Sequence, residues 1–278
     1  MDFGLAGRVV VVSGGTSGIG LATAIALARD GARVAVLGSS EERMAEATAR
    51  LREAATQDAK VLGVKADVRD RKALDHAAST VAAELGDVYG VVACAGIGGA
   101  GRAEDLPLED LENVLAVNVG GVLSTCQAFV HGMIERGQGS IVLIGSINSF
   151  GGQAGRTHYT ASKHAVIGMV KNFAIEWGSH NVRVNGIAPG PVDTPLLRAN
   201  VPQSFMAEVF DDRIPLGRLA RAEEIAYPAL MLLSDMGSYV TGATLTVDGG
   251  MTAGPFTRRR GRDLGSNRLL AEGVYTEE

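Results

Sequence analysis

Cysteine is scarce: Cys94 and Cys126 are the only two in 278 residues. They lie far apart and form no CxxC pair. That excludes a Cys-rich zinc site and fits a reducing compartment. No His/Asp/Glu cluster has metal-ligand spacing, so no catalytic metal is expected. A basic surplus is absent as well. Lys and Arg number 26 against 31 Asp and Glu, a net charge of −5, which argues against nucleic acid as the main partner. The apolar run Val9–Val12 is far too short to span a bilayer, and Met1–Gly7 contains an acid and leads straight into a strand. The expectation is a cytoplasmic protein that acts on small molecules, with neither a membrane nor a nucleic-acid partner.

What is present is apolar and glycine-rich. Apolar residues make up 46% of the chain, enough for a substantial core and too many for general disorder. The 37 glycines fit a fold with many tight strand–helix turns. Strands are expected near Val9–Ser13, Arg33–Leu37, Val61–Val64, Gly90–Ala93, Ile141–Ile144, Arg183–Ile187 and Thr244–Val247. Most are continuous apolar runs, the pattern of parallel strands buried on both faces. Helical patterns fall between them at Ile19–Arg29, Glu41–Ala55, Arg69–Leu85, Leu108–Arg136, Tyr159–Gly178 and Ala222–Ser234. This alternation predicts one Rossmann-like, doubly wound α/β domain over 1–251, with a parallel seven-stranded sheet and helices on both faces. Thr194–Pro215 breaks the rhythm and is placed to be a substrate lid. Its apolar residues, among them Leu196, Leu197, Val201, Phe205, Met206, Val209 and Phe210, suggest a hydrophobic or mixed substrate. Residues 252–278 read as a C-terminal extension, basic at Arg258–Arg262, that is solvated or packs between subunits.

Directly after the first strand comes Ser13-Gly14-Gly15-Thr16-Ser17-Gly18-Ile19-Gly20, with Gly14, Gly18 and Gly20 in GxxxGxG spacing. The turn opens the first helix, whose N-terminus offers free N–H groups and partial positive charge to a pyrophosphate. A dinucleotide site often carries an acid at the end of strand two to hold the ribose 2′-OH. Here that stretch is Val36-Leu37-Gly38-Ser39-Ser40, and Glu41 comes later. Ser39 and Ser40 can donate to a 2′-phosphate, although neither Ser17 nor Ser39 is the Arg that a phosphate clamp would use. The expectation is NADP(H) in preference to NAD(H).

Tyr159-Thr160-Ala161-Ser162-Lys163 puts Tyr and Lys one helical turn apart on a shared face. A phenol is a poor base at neutral pH, and a neighbouring ammonium favours its phenolate. Ser146 follows strand five at the sheet edge where α/β folds bind ligands, placed to hold a substrate oxygen.

With these motifs in order, the sequence resembles the short-chain dehydrogenases/reductases, in their single-domain branch. The resemblance runs from Leu5 to Met251. It implies catalytic roles for Asn118, Ser146, Tyr159 and Lys163. It also implies cofactor contacts from Gly14, Thr16, Ser17, Gly18, Ile19 and Gly20. Further contacts are implied for Ser39, for Asp67 and Val68 beside the adenine, and for Cys94, Ala95 and Gly96. Pro189, Gly190, Val192 and Thr194 would meet the nicotinamide end, and Tyr159 and Lys163 would also touch the cofactor. The implied reaction passes a hydride between nicotinamide and a ketone or secondary alcohol. Tyr159 would exchange the proton, Lys163 would hold the ribose hydroxyls, and Asn118 would link Lys163 to solvent through water. A homotetramer or homodimer is implied.

One motif departs. Where the family has Asn-Asn-Ala-Gly, this chain has Ala93-Cys94-Ala95-Gly96, and Cys94 reads as inert packing. His158 and His164 read as structural. Arg156 reads as a surface residue, its other reading being a contact with an anionic substrate. Arg218 and Arg221 read as structural. Two other classes compete: an epimerase or dehydratase on the same fold, and a non-catalytic dinucleotide-binding protein. The GxxxGxG spacing argues against the first, and the complete catalytic set against the second.

Overall fold

A strand covered by helices on both faces has no side for polar residues. β1 (Val9–Ser13), with the sequence VVVVS, is accordingly buried along its whole length. The computed structural model describes residues 2–56, 59–201, 206 and 213–254. Around β1 lie β2 (Arg33–Gly38), β3 (Val61–Lys65), β4 (Val88–Ala93), β5 (Gly139–Ile144), β6 (Val182–Pro189) and β7 (Thr244–Val247). They form one seven-stranded sheet in the order β3-β2-β1-β4-β5-β6-β7. Every pairing in it is parallel.

The order reverses between β1 and β4, which opens a crevice at the carboxyl ends of the strands. The crossovers are α1 (Gly18–Arg29), α2 (Glu41–Ala54), α3 (Arg71–Leu85), α4 (Leu108–Leu115), α5 (Gly121–Arg136) and α6 (Thr157–Gly178). A short α7 (Pro195–Asn200) and then α8 (Glu223–Leu233) follow β6. One core layer joins Val10, Val12, Val34 and Val36 to Leu27, Leu51 and Leu230. The opposite layer joins Val9, Val11, Val91, Ile141 and Leu143 to Leu74, Phe129 and Val170. Each fully buried Val, Leu or Ile contributes about 1.5–3 kcal/mol.

The expected single helix over Leu108–Arg136 is divided. Ala116–Gly120 forms one wide π turn between α4 and α5, with Gly121 N–H donating to Ala116 O. The whole stretch is long and apolar enough by composition to cross a membrane. Here it packs against α3, α6, β4 and β5. Five strands, β2 to β6, also extend beyond their expected bounds. β5 begins at Gly139-Ser140, where the buried Ser140 hydroxyl donates to Leu232 O at 3.0 Å. Arg183 within β6 donates to the carbonyls of Leu232, Leu233 and Ser234, and so caps the end of α8. Within the expected lid, Thr194–Val201, Met206 and Arg213–Pro215 are described. Phe205, Val209 and Phe210 lie outside the described residues, as do Arg258–Arg262.

Candidate active site

The turn after β1 needs glycine for steric reasons. Gly14 has φ +65°, and a Cβ there would stand 2.7 Å from the backbone of Ala95. Gly18 has φ +52°, and a Cβ there would press on the Thr194 side chain at 3.3 Å. The turn is thus wedged between the loop after β4 and the segment after β6. Ser17 stands at the N-cap of α1 in extended conformation, without a side-chain capping bond. The first-turn N–H groups are left for an anion, as a pyrophosphate site requires. These residues fit a dinucleotide.

At the edge of this crevice, Ser39 is exposed just beyond β2. Ser40 caps α2 by accepting from Arg43 N–H. Lys65, which no motif marks in the sequence, also stands here. Gly38 and Lys65 are in register on β2 and β3, and the Lys65 ammonium pairs with Glu41 at 2.8 Å. Hydrogen bonding to Lys65 holds the Glu41 carboxyl below its usual range. A cation therefore sits beside the serines, contributed by a strand that is distant in sequence. Asp67 forms an ion pair with Arg69 at 2.7 Å, and this hydrogen bond lowers its carboxyl from the ordinary value. Val68 is buried against Gly121.

The catalytic candidates converge at the ends of β4 and β5. Asn118 lies within the π turn and is fully buried. Its Oδ1 accepts from Ile97 N–H at 2.8 Å, and its Nδ2 donates to Ile97 O and to Ser162 Oγ, each at 3.0 Å. Ser162 Oγ donates in turn to Tyr159 O at 2.7 Å. Single π turns recur at functional sites because they re-aim one side chain. The Lys163 ammonium is buried and donates to Ile144 O at 2.9 Å, 5.6 Å from the centre of the Tyr159 ring. Ammonium has three donors, so two remain. Ser146, two residues beyond Ile144, accepts from Asn148 N–H at 3.1 Å, and Ser149 Oγ donates to Lys163 O at 2.8 Å. Ser146 and Lys163 are thereby braced against the same short turn.

Beyond β6, Gly190 N–H donates to Val247 O at 3.0 Å, and Val192 bridges to Ala220. Thr194 caps α7 by accepting from Leu197 N–H at 3.2 Å. Cys94 is half-buried, yet desolvation pushes its thiol up to about 11, against the opposing pull of the Lys163 ammonium. His158 is buried with its ring against Gly99, and His164 is exposed. Arg156 is not a free surface side chain. Its guanidinium donates to Gly99 O and, at 2.6 Å, to Asn200 O.

The family model described as enoyl-(acyl carrier protein) reductase matches residues 14–252. The chain is 39% identical to acetoacetyl-CoA reductase of Synechocystis sp., covering 90% of this chain and 98% of that protein. The crystal structure of levodione reductase superposes with a TM-score of 0.85 at 32% identity, covering 90% of this chain and 99% of that one. A gluconate 5-dehydrogenase from Burkholderia cenocepacia, in complex with NADP and tartrate, superposes with a TM-score of 0.85 at 31% identity. It covers 91% of this chain and 98% of that one. The chain belongs to the short-chain dehydrogenase/reductase family. It is an oxidoreductase of that family, interconverting a ketone and a secondary alcohol with NAD(P) on a small-molecule substrate. The crevice at the β1/β4 switch point is where this family membership and the geometry meet.

Proposed function

We propose that Tyr159 is the acid/base of this reaction, with Ser146, Lys163 and Asn118 completing the site, within a catalytic unit formed by residues 1–251. The observation that carries the reading is the Lys163 ammonium, fixed on Ile144 O one helical turn from Tyr159 and braced through Ser149 to the turn that bears Ser146. NAD(P)(H) supplies or accepts the hydride. The Ser146 hydroxyl holds the substrate oxygen, and Tyr159 gives that oxygen its proton in reduction or removes it in oxidation. Lys163 directs its two remaining donors to the cofactor ribose. Asn118 keeps the loop after β4 in place under the cofactor and carries the water that links Lys163 to solvent.

We infer further that NADP(H) is preferred. No acid stands at the end of β2, the Ser39 hydroxyl is open, and Lys65 can exchange its Glu41 partner for a 2′-phosphate. Calorimetric titration with NADPH and with NADH tests this, with NADPH expected to bind tighter by about tenfold, or 1.4 kcal/mol. Equal binding, or tighter NADH, would overturn the preference. A cytoplasmic homotetramer completes the proposal, supported by the two free thiols and by the exposed apolar side chains Leu123 on α5 and Ile175 on α6. Those two helices would pair between subunits.

A further inference from the structure

α7 is six residues long and contains no buried residue. A helix this short has no stability of its own, so contacts at its ends must fix it. Its N-terminal end is held by Thr194, which caps it and rests on Gly18 of the cofactor turn. Its C-terminal end is held by the Arg156 guanidinium on Asn200 O. Carbonyls at a helix C-terminus carry partial negative charge and lack partners within the helix, so a cation there is favourable. The same guanidinium reaches the other wall of the cleft through Gly99 O. The neighbouring contacts tie the same loop to the approach to α6 and to α7. Gly101 N–H donates to Gly155 O at 3.0 Å. A Cβ on Gly98 would lie 3.1 Å from Asn200 Oδ1, and the His158 ring rests on Gly99. Among the described residues, Arg156 makes no ion pair.

We propose that Arg156 is a clasp that holds α7 against the loop after β4, closing the substrate cleft three residues before Tyr159. It is a positioning residue for the catalytic site, and the proposal rests on the reading of that cleft given above. The planar fork suits the task, because one guanidinium can serve two carbonyls from different segments.

The test is hydrogen–deuterium exchange of the full chain in the wild type, Arg156→Met and Arg156→Lys. The reporters are the amides of Arg198 and Val201, which donate to Thr194 O and Leu197 O. Arg156→Met should speed their exchange roughly tenfold or more, the loss of a charge-assisted bond at the helix end. Arg156→Lys, able to serve one carbonyl at a time, should restore part of the protection. Exchange in β5 should be unchanged. Unaltered exchange at Arg198 and Val201 would overturn the clasp. So would an equal rise in β5, which would mark a general loss of stability, or a Lys variant no better than Met. The readout needs neither cofactor nor turnover, so its failure is distinct from failure of the hydride-transfer reading.

Discussion

Asn118 and Ile97 are joined by a two-way bond. The Asn118 carboxamide accepts from the backbone N–H of Ile97 and donates to its carbonyl. A buried asparagine thus replaces the missing neighbour strand for one residue of the loop after β4. Asn118→Ala would leave both backbone groups of Ile97 without that partner, together with the hydroxyl of Ser162. The expected cost is about 2 kcal/mol, or roughly 4–8 °C in Tm for a domain of this size. Thermal unfolding with and without NADPH checks it, and the variant should also gain less from the cofactor, because the loop under the cofactor is loosened.

Lys163→Met should weaken NADPH binding by tenfold or more, since about 1.5–3 kcal/mol accompanies each charge-assisted hydrogen bond lost. It also removes the donor to Ile144 O. Calorimetry on the folded variant, with its far-ultraviolet circular dichroism matching wild type, measures the binding loss.

Burial raises the Cys94 thiol to about 11 and the Cys126 thiol to about 12, from 9.0 in the open chain. The unfolded chain releases these protons first. Stability from the two thiols is therefore complete below pH 9 and falls as the pH rises from 9 through about 11 to 12. The urea midpoint should drop less between about pH 8 and about pH 10.5 in Cys126→Ala than in wild type. The same burial should make both thiols slow toward iodoacetamide in the native state.

Glu224 gives the opposite sign. Its two oxygens accept from Arg218 at 2.7 Å each, and one also accepts from Arg221 N–H at 2.8 Å. The Arg218 hydrogen bond comes first among the causes that lower its carboxyl from 4.5 to about 2. Its stabilising effect is present above pH 4.5 and is lost as the pH falls toward 2. Glu224→Gln should be less stable at neutral pH and should lose stability less steeply across that acid range, as read from urea midpoints.

The sheet was legible because doubly buried strands leave unbroken apolar runs, as at Val9–Val12 and Ile141–Ile144. It was less legible where a strand end carries a polar residue with a tertiary partner, as at Ser140. Order and spacing in the sequence also pointed to the candidate residues that the fold gathers at the ends of β4 and β5, Asn118, Ser146 and Lys163. The π turn was not, because Ala116-Val117-Asn118-Val119-Gly120 has an ordinary helical composition and the widening serves a bond to Ile97, a residue in another segment. Lys65 escaped notice because strand register, not sequence distance, brings it to Gly38. Arg156 was read as a surface residue because the carbonyls it serves, on Gly99 and Asn200, carry no mark in the sequence. Its position three residues before Tyr159 was the one available signal.

The most direct test is Tyr159→Phe, assayed for NADPH oxidation against a panel of neutral and acidic ketones that includes levodione and acetoacetyl-CoA, alongside calorimetric titration with NADPH. The account predicts NADPH binding close to wild type and a fall in turnover of about 10²–10⁴-fold on any ketone that the wild type reduces. A Phe variant that binds NADPH and turns over as fast as wild type would contradict the assignment of Tyr159 as the acid/base.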